Sequence, residues 1–225
     1  WDWVFFGASL GIALLLGVAF GNILDGLPIA ADGYIRATLF DLLTPYALLV
    51  GVTTVFMLAT HGAIYLSMKA SGALLDRVKR WVPRLMVIFF ILNTLLVGMT
   101  VLLHEAVSDR YWQQPWLAIL PAAALASVIV AWLMVRREQY FVAFLFSSAM
   151  IAGLLISAAV GLFPNLLVST LNSSYNLTIF NAASQANTLT VMLVMALIGM
   201  PFVLLYTAGV YYIFRGRVQI GPNSY

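Results

Sequence analysis

From Thr44 to Met68 the chain runs for 25 residues without a lysine, an arginine or a carboxylate, and this stretch limits the fold more than any other feature. The hydrocarbon core of a bilayer is roughly 30 Å thick, and about 20 helical residues cross it. The stretch therefore reads as a transmembrane helix. Thr44 is placed to cap its start, and Pro45 stands at the first helical position, where a missing N–H costs nothing. Lys69 closes it. One ionisable side chain, His61, lies well inside, on a helical face shared with Thr54, Met57 and Tyr65.

Five further stretches have the same character: Trp3–Leu24, Leu85–Leu103, Trp116–Val135, Tyr140–Phe163 and Thr188–Phe214. With 63% hydrophobic and 8% charged residues, the composition is far from that of a soluble domain, where about a quarter of residues are charged. The predicted fold is all-α, a polytopic membrane protein with six spans. There is no cysteine, which excludes disulfides, thiolate nucleophiles and cysteine-ligated metals within this chain. The net charge of +3 is too small and too scattered to indicate nucleic acid. Gly7, Gly11, Gly17 and Gly21 fall on one arc of the first span, a smooth strip for close helix packing. Pro201, with Gly199 beside it, predicts a kink in the last span.

The connections read as a loop over Asp25–Asp41, a basic loop over Lys69–Arg84, a weakly acidic loop over Glu105–Gln114, a turn at Arg136–Glu138 and an uncharged loop over Pro164–Asn187. Nine of the eleven Lys and Arg residues fall on the side of the Lys69–Arg84 loop. By the positive-inside rule that side, with both ends of the chain, is cytoplasmic. All six tryptophans lie near span ends, as an aromatic belt requires.

The end of the second span, Gly62-Ala63-Ile64-Tyr65-Leu66-Ser67-Met68-Lys69, aligns with the end of the sixth, Ala208-Gly209-Val210-Tyr211-Tyr212-Ile213-Phe214-Arg215. The preceding spans match loosely, with Gly17 against Ser157 and Gly21 against Gly161. This suggests an internal duplication, and the topology makes it a parallel repeat. The expected parent has eight spans in two four-helix bundles. Residues 1–68 then supply the last two helices of the first bundle, 69–84 the basic loop, 85–217 the second bundle and 218–225 a tail. The chain opens on WDWVFFGASLG, already apolar and without a basic n-region or cleavage site, so it does not read as a signal peptide. Two earlier spans are expected to precede it.

The runs WDWVFFGASLGIALLLGVAFGN, LLTPYALLVGVTTVFMLATHGAIYLSMKASG, LNSSYNLTIFNAAS and LLYTAGVYYIFRG resemble subunit II of the cytochrome bd-type quinol oxidases, and the ordered set extends through essentially the whole chain. The resemblance implies a heterodimer with a similar subunit I in a bacterial cytoplasmic membrane. The partner would carry the haems, b and d, and the quinol-oxidising loop. Subunit II would support assembly and access to the oxygen-reducing site. It implies an enzyme subunit, a quinol:O2 oxidoreductase that generates a proton-motive force, in contact with the bilayer and the quinone pool and able to hold a bound quinone. No cofactor or metal is expected in this chain. The acidic residues of the family's first two spans have no counterpart here.

His61 has two readings. One is a proton-relay or quinone-contacting residue, since intramembrane ionisable groups are costly and usually functional. The other, preferred, is a neutral imidazole hydrogen-bonded across the bundle, the form that burial favours. His61 and His104 read as lying towards opposite membrane faces, which excludes them as paired axial ligands of one iron. Asn93 and Thr94, central in the third span, read as interhelical hydrogen-bonding groups. A small-solute transporter with parallel repeats is the competing function. It calls for polar groups at mid-membrane in both repeats, and only Asn93 and Thr94 are central. A purely structural scaffold is the third reading.

Overall fold

A computed structural model describes residues 1–216; Arg217 and the expected tail, 218–225, lie outside the described residues. In chain order the helices are α1 (Asp2–Asp25), α2 (Pro45–Lys69), α3 (Gly72–Leu103), the short α4 (Glu105–Gln113), α5 (Ile119–Arg136, entered through a 3-10 turn at Pro115–Ala118), α6 (Tyr140–Leu162) and α7 (Ala186–Ile213). Among the described residues, six helices, all but α4, are long and apolar enough to cross a membrane. The chain is an all-α polytopic membrane protein.

α2 starts where its sequence says it should. Thr44 is extended, and its hydroxyl oxygen accepts the Ala47 N–H at 3.0 Å. The basic segment 69–84 is not a loop, however. Only Ala70 and Ser71 separate α2 from α3, and the turn is closed by Gly72 at φ +61°, a left-handed conformation that glycine adopts without steric cost. Leu75, Val78 and Val82 recur at helical spacing and are buried, and that stripe carries the helix through its charged turns. A helix of 32 residues is about 48 Å long, well beyond the apolar core of a bilayer. Asp76, Arg77, Lys79, Arg80 and Arg84 thus extend past it. The segment 105–114 is likewise helical, because Val107 packs into a cluster with Leu24, Tyr46, Val50 and Leu162.

The uncharged segment after α6 contains a small antiparallel pair, β1 (Asn165–Leu167) and β2 (Leu177–Thr178). It is laced to the loop that follows α1. The Leu27 N–H donates to Val168 O at 2.9 Å, the Thr170 N–H to Leu27 O at 3.0 Å, and Ser169 Oγ to Ile29 O at 2.8 Å. Gly26, at φ +96°, lets the chain leave α1 towards this contact. The two longest connections therefore close over the same end of the molecule.

The core lies between α2, α3, α5 and α6. One cluster joins Ile64, Val78, Val82, Met86, Ala131, Val135 and Ala143; a second joins Phe89, Val128 and Met150, with Phe56 and Met57 against them. α2 thus shares a core with helices of the expected second bundle, and the expected division at 68 and 85 is not marked by a break in packing. α5 and α6 pack tightly at Gly153, where an added Cβ would stand 3.0 Å from Ala124 Cβ. α1 packs on α2 through its second half. α7 carries no buried residue, and its last turn is tied to α2 where Lys69 Nζ donates to Phe214 O.

Candidate functional site

His61 sits on the α2 face turned towards α6. Its Nδ1 lies 2.8 Å from Ser147 Oγ. The Ser147 hydroxyl donates to Phe144 O at 2.8 Å, an arrangement that leaves its oxygen to accept from the Nδ1–H tautomer of His61. The ring stacks on Phe144, with centroids 4.7 Å apart and planes at 27°, and Tyr65 meets the same phenyl ring at 5.6 Å. His61 and Tyr65 are thus brought together, through Phe144.

Thr54 is turned away from that group. Its hydroxyl donates to Val50 O at 2.9 Å, and its side chain faces α1 at Gly17. Asn93 lies on α3 in the bundle interior, 2% exposed, and its amide Nδ2 has no hydrogen-bond partner among the described residues. The four glycines divide into two pairs. A Cβ added to Gly17 would come within 2.7 Å of Gly51 Cα, and one added to Gly21 within 2.7 Å of Ala47 Cα. Gly7 and Gly11 have nothing within 4 Å of such a Cβ.

A second polar group, not foreseen from the sequence, lies where α1, α2, α3 and α4 meet. Asp25 Oδ1 is 3.3 Å from His104 Nδ1, and Asp25 Oδ2 accepts from Thr44 Oγ1 at 2.9 Å. The Tyr46 ring lies against His104, with centroids 3.8 Å apart. Thr100 donates its hydroxyl to Leu96 O at 2.8 Å, so the 2.7 Å contact between Tyr46 OH and Thr100 Oγ1 runs from tyrosine to threonine. Each residue stands at or near a helix end, a visible signal, but only the closure of the loops shows that they converge.

Beside this group Asn22, Asp25, Arg36, Asp41, Thr44 and Thr170 line a cavity of about 230 Å³. The Asp41 carboxyl is held below its ordinary range by the backbone N–H of Thr38 and, secondly, by its hydroxyl. Tyr111 on α4 is pushed up by burial, against the opposing effect of its hydrogen bond to Ser157 O at 2.6 Å. No group of three His, Cys, Asp or Glu side chains among the described residues could hold a metal ion.

Six membrane-crossing helices around an interior that holds buried hydroxyl and amide groups define a multi-pass membrane protein. Residues 1–214 match the family of cytochrome bd terminal oxidase subunit II, and the chain belongs to that family. It is 32% identical over 249 residues to the probable cytochrome oxidase subunit 2 of Haemophilus influenzae, covering 97% of this chain and 66% of that protein. It is 31% identical over 248 residues to the cytochrome bd-I ubiquinol oxidase subunit 2 of Escherichia coli K12, covering 97% and 65%. With the cytochrome bd ubiquinol oxidase subunit 2 of Bacillus subtilis the identity is 32% over 225 residues, covering 97% and 64%. The chain thus spans slightly less than two thirds of the length of these relatives. A transporter finds no support among them.

Proposed function

We propose that this chain is a non-haem subunit of a bacterial cytochrome bd-type quinol oxidase. It assembles with a haem-bearing subunit I, and the complex passes electrons from quinol to O2, forming water and generating a proton-motive force. Haems b and d belong to the partner, and the complex resides in the cytoplasmic membrane with both ends of this chain on the cytoplasmic side. The observation that carries the reading is the match to ubiquinol oxidase subunits over 97% of the chain.

The reading is supported by the two histidines, which do not fit one haem as a pair of axial ligands. His104 stacks on Tyr46, and Tyr46 and His61 are 15 residues apart on α2, about 22 Å along the axis. Two imidazoles at such different depths cannot serve one iron as axial ligands. On this reading His61 is a hydrogen-bonding group that ties α2 to α6. Gly7 and Gly11 continue the strip by which Gly17 and Gly21 meet α2, and they offer a close-packing surface to a helix outside this chain.

The test is the optical spectrum of the complex purified with subunit I, with this chain alone as control. Haem bands are expected only in the complex. A stoichiometric haem absorbance in the isolated chain, lost on His61→Ala, would overturn the assignment.

A further inference from the structure

The core of α2, α3, α5 and α6 is built in layers one helical turn apart. Ile64, Val82, Val135 and Ala143 belong to one cluster and mark one level. One turn towards the Tyr46 end lie Thr60, Met86, Ala131 and Ser147, each 3% exposed or less. Then come Met57, Phe89, Val128 and Met150, and beyond them Thr53, Asn93 and Ala124, each 4% exposed or less. Two polar layers therefore alternate with two apolar ones. In both polar layers the α5 position is alanine; in both apolar layers it is valine.

Each polar layer contains one buried group without a protein partner: Thr60 Oγ1 in one, Asn93 Nδ2 in the other. Thr60 is the exception to a pattern. Thr53, Thr54, Ser67, Thr94, Thr100, Ser148 and Ser157 all donate their hydroxyls to the carbonyl four residues back. An unsatisfied donor in a bilayer-spanning bundle costs several kcal/mol, and internal water is the usual remedy where two or more polar groups converge and space allows.

We infer that the Thr60 layer is an internal hydration site, one water being held by Thr60 and Ser147 beside Ala131, where the α5 side chain is alanine instead of valine. Ser147 has the capacity for this. Its proton goes to Phe144 O and one lone pair accepts His61 Nδ1–H, which leaves the second lone pair for a water donor. The water in turn accepts from Thr60. His61, Ser147, the water and Thr60 then form one hydrogen-bonded chain reaching from the α2 face into the centre of the bundle. The Asn93 layer differs: α6 closes on Ala124 at Gly153, and Thr53 already donates its hydroxyl to Leu49 O at 2.7 Å.

The test is water-edited solid-state NMR on the protein purified from the membrane in its native assembly and kept in lipid, with threonine methyls and histidine nitrogens labelled. The chain has only two histidines, and the Thr60 methyl is identified as the signal missing from Thr60→Val. In the unaltered protein the Thr60 methyl should gain water magnetisation in the fast phase typical of surface residues, and His61 should carry its proton on Nδ1. Ala131→Val, which adds two methyl groups beside the layer while keeping every polar group, should abolish fast transfer to the Thr60 methyl. The His61 tautomer should survive that change. Slow transfer to Thr60 in the unaltered protein, the result if its hydroxyl simply turns back to the carbonyl of Phe56, overturns the proposal. So does fast transfer to the Thr60 methyl that persists in Ala131→Val.

Discussion

Gly17→Ala adds a single methyl group at the closest approach of α1 and α2, where that methyl has nowhere to go. The new Cβ would stand 2.6 Å from Thr54 Oγ1 and 2.7 Å from Gly51 Cα, whereas non-bonded carbons rest at about 3.5–4.0 Å. Gly51 Cα is backbone and cannot rotate aside, so α1 must retreat by about 1 Å. A radial gap of 0.5–1 Å forfeits roughly a quarter to a half of each contact's attraction, and overpacking of this kind costs about 1–3 kcal/mol. Gly11→Ala is the matched control. Nothing lies within 4 Å of its added Cβ, and its effect should stay within about 0.5 kcal/mol. Reversible unfolding of the chain in mixed micelles, followed for both variants, measures the difference. Equal stability of Gly17→Ala and Gly11→Ala would refute the reasoning, because it would mean that α1 is not held against α2 through the glycine contact.

Gly11→Leu should leave unfolding of the isolated chain nearly unchanged and lower the yield of assembly with subunit I; normal assembly and activity would mean that the strip faces lipid. In this cysteine-free chain, Ser71→Cys should be shielded from an impermeant thiol reagent applied outside the cell and Ser173→Cys should be labelled, and the reverse pattern would invert the topology. The Asp41 tie to Thr38 should persist above the ordinary carboxyl pKa near 4 and be lost as pH falls through the depressed value; an NMR titration midpoint for Asp41 at or above 4 would contradict this. His61→Gln retains a donor for Ser147 and should keep turnover per haem, whereas His61→Leu should mainly lower stability of the complex, by about 1 kcal/mol for a lost interhelical hydrogen bond; equal collapse of turnover in both variants would favour a proton relay.

The membrane helices were legible because charge-free length is a one-dimensional property. The boundaries expected for α2, α5 and α6 agree with the structure to within a few residues, and the Thr44 cap is made as its residue type predicts. The start of α3 and all of α4 escaped for the opposite reason. Their charges read as loop, and the evidence for helix lay in the spacing of Leu75, Val78 and Val82 and in the burial of Val107. The partners of His61 and His104 were not legible at all. Ser147 is 86 residues from His61, and depth in a span says nothing about which neighbour a side chain faces.

That blindness has a physical origin, and a remedy. On a soluble helix the apolar face marks the core, because the other face meets water. On a membrane helix lipid is as apolar as the core, so hydrophobicity carries no rotational information. Polar residues take over the role, since a hydroxyl or amide facing hydrocarbon is the costly arrangement. On α2, Tyr46, Thr53, Thr60 and Ser67 recur every seven residues, and each is 4% exposed or less. On α3, Asn93 and Thr100 keep the same interval, and Thr100 receives the hydrogen bond from Tyr46. The spacing was present in the sequence and identifies the buried face of α2 and of the second half of α3. What it could not supply is the register between helices, because the same two stripes could be slid past one another by one seven-residue step. The Tyr46–Thr100 hydrogen bond at one end and the two-residue turn at Ala70–Ser71 at the other fix that register, and with it the level at which Asn93 and Thr60 lie in the core.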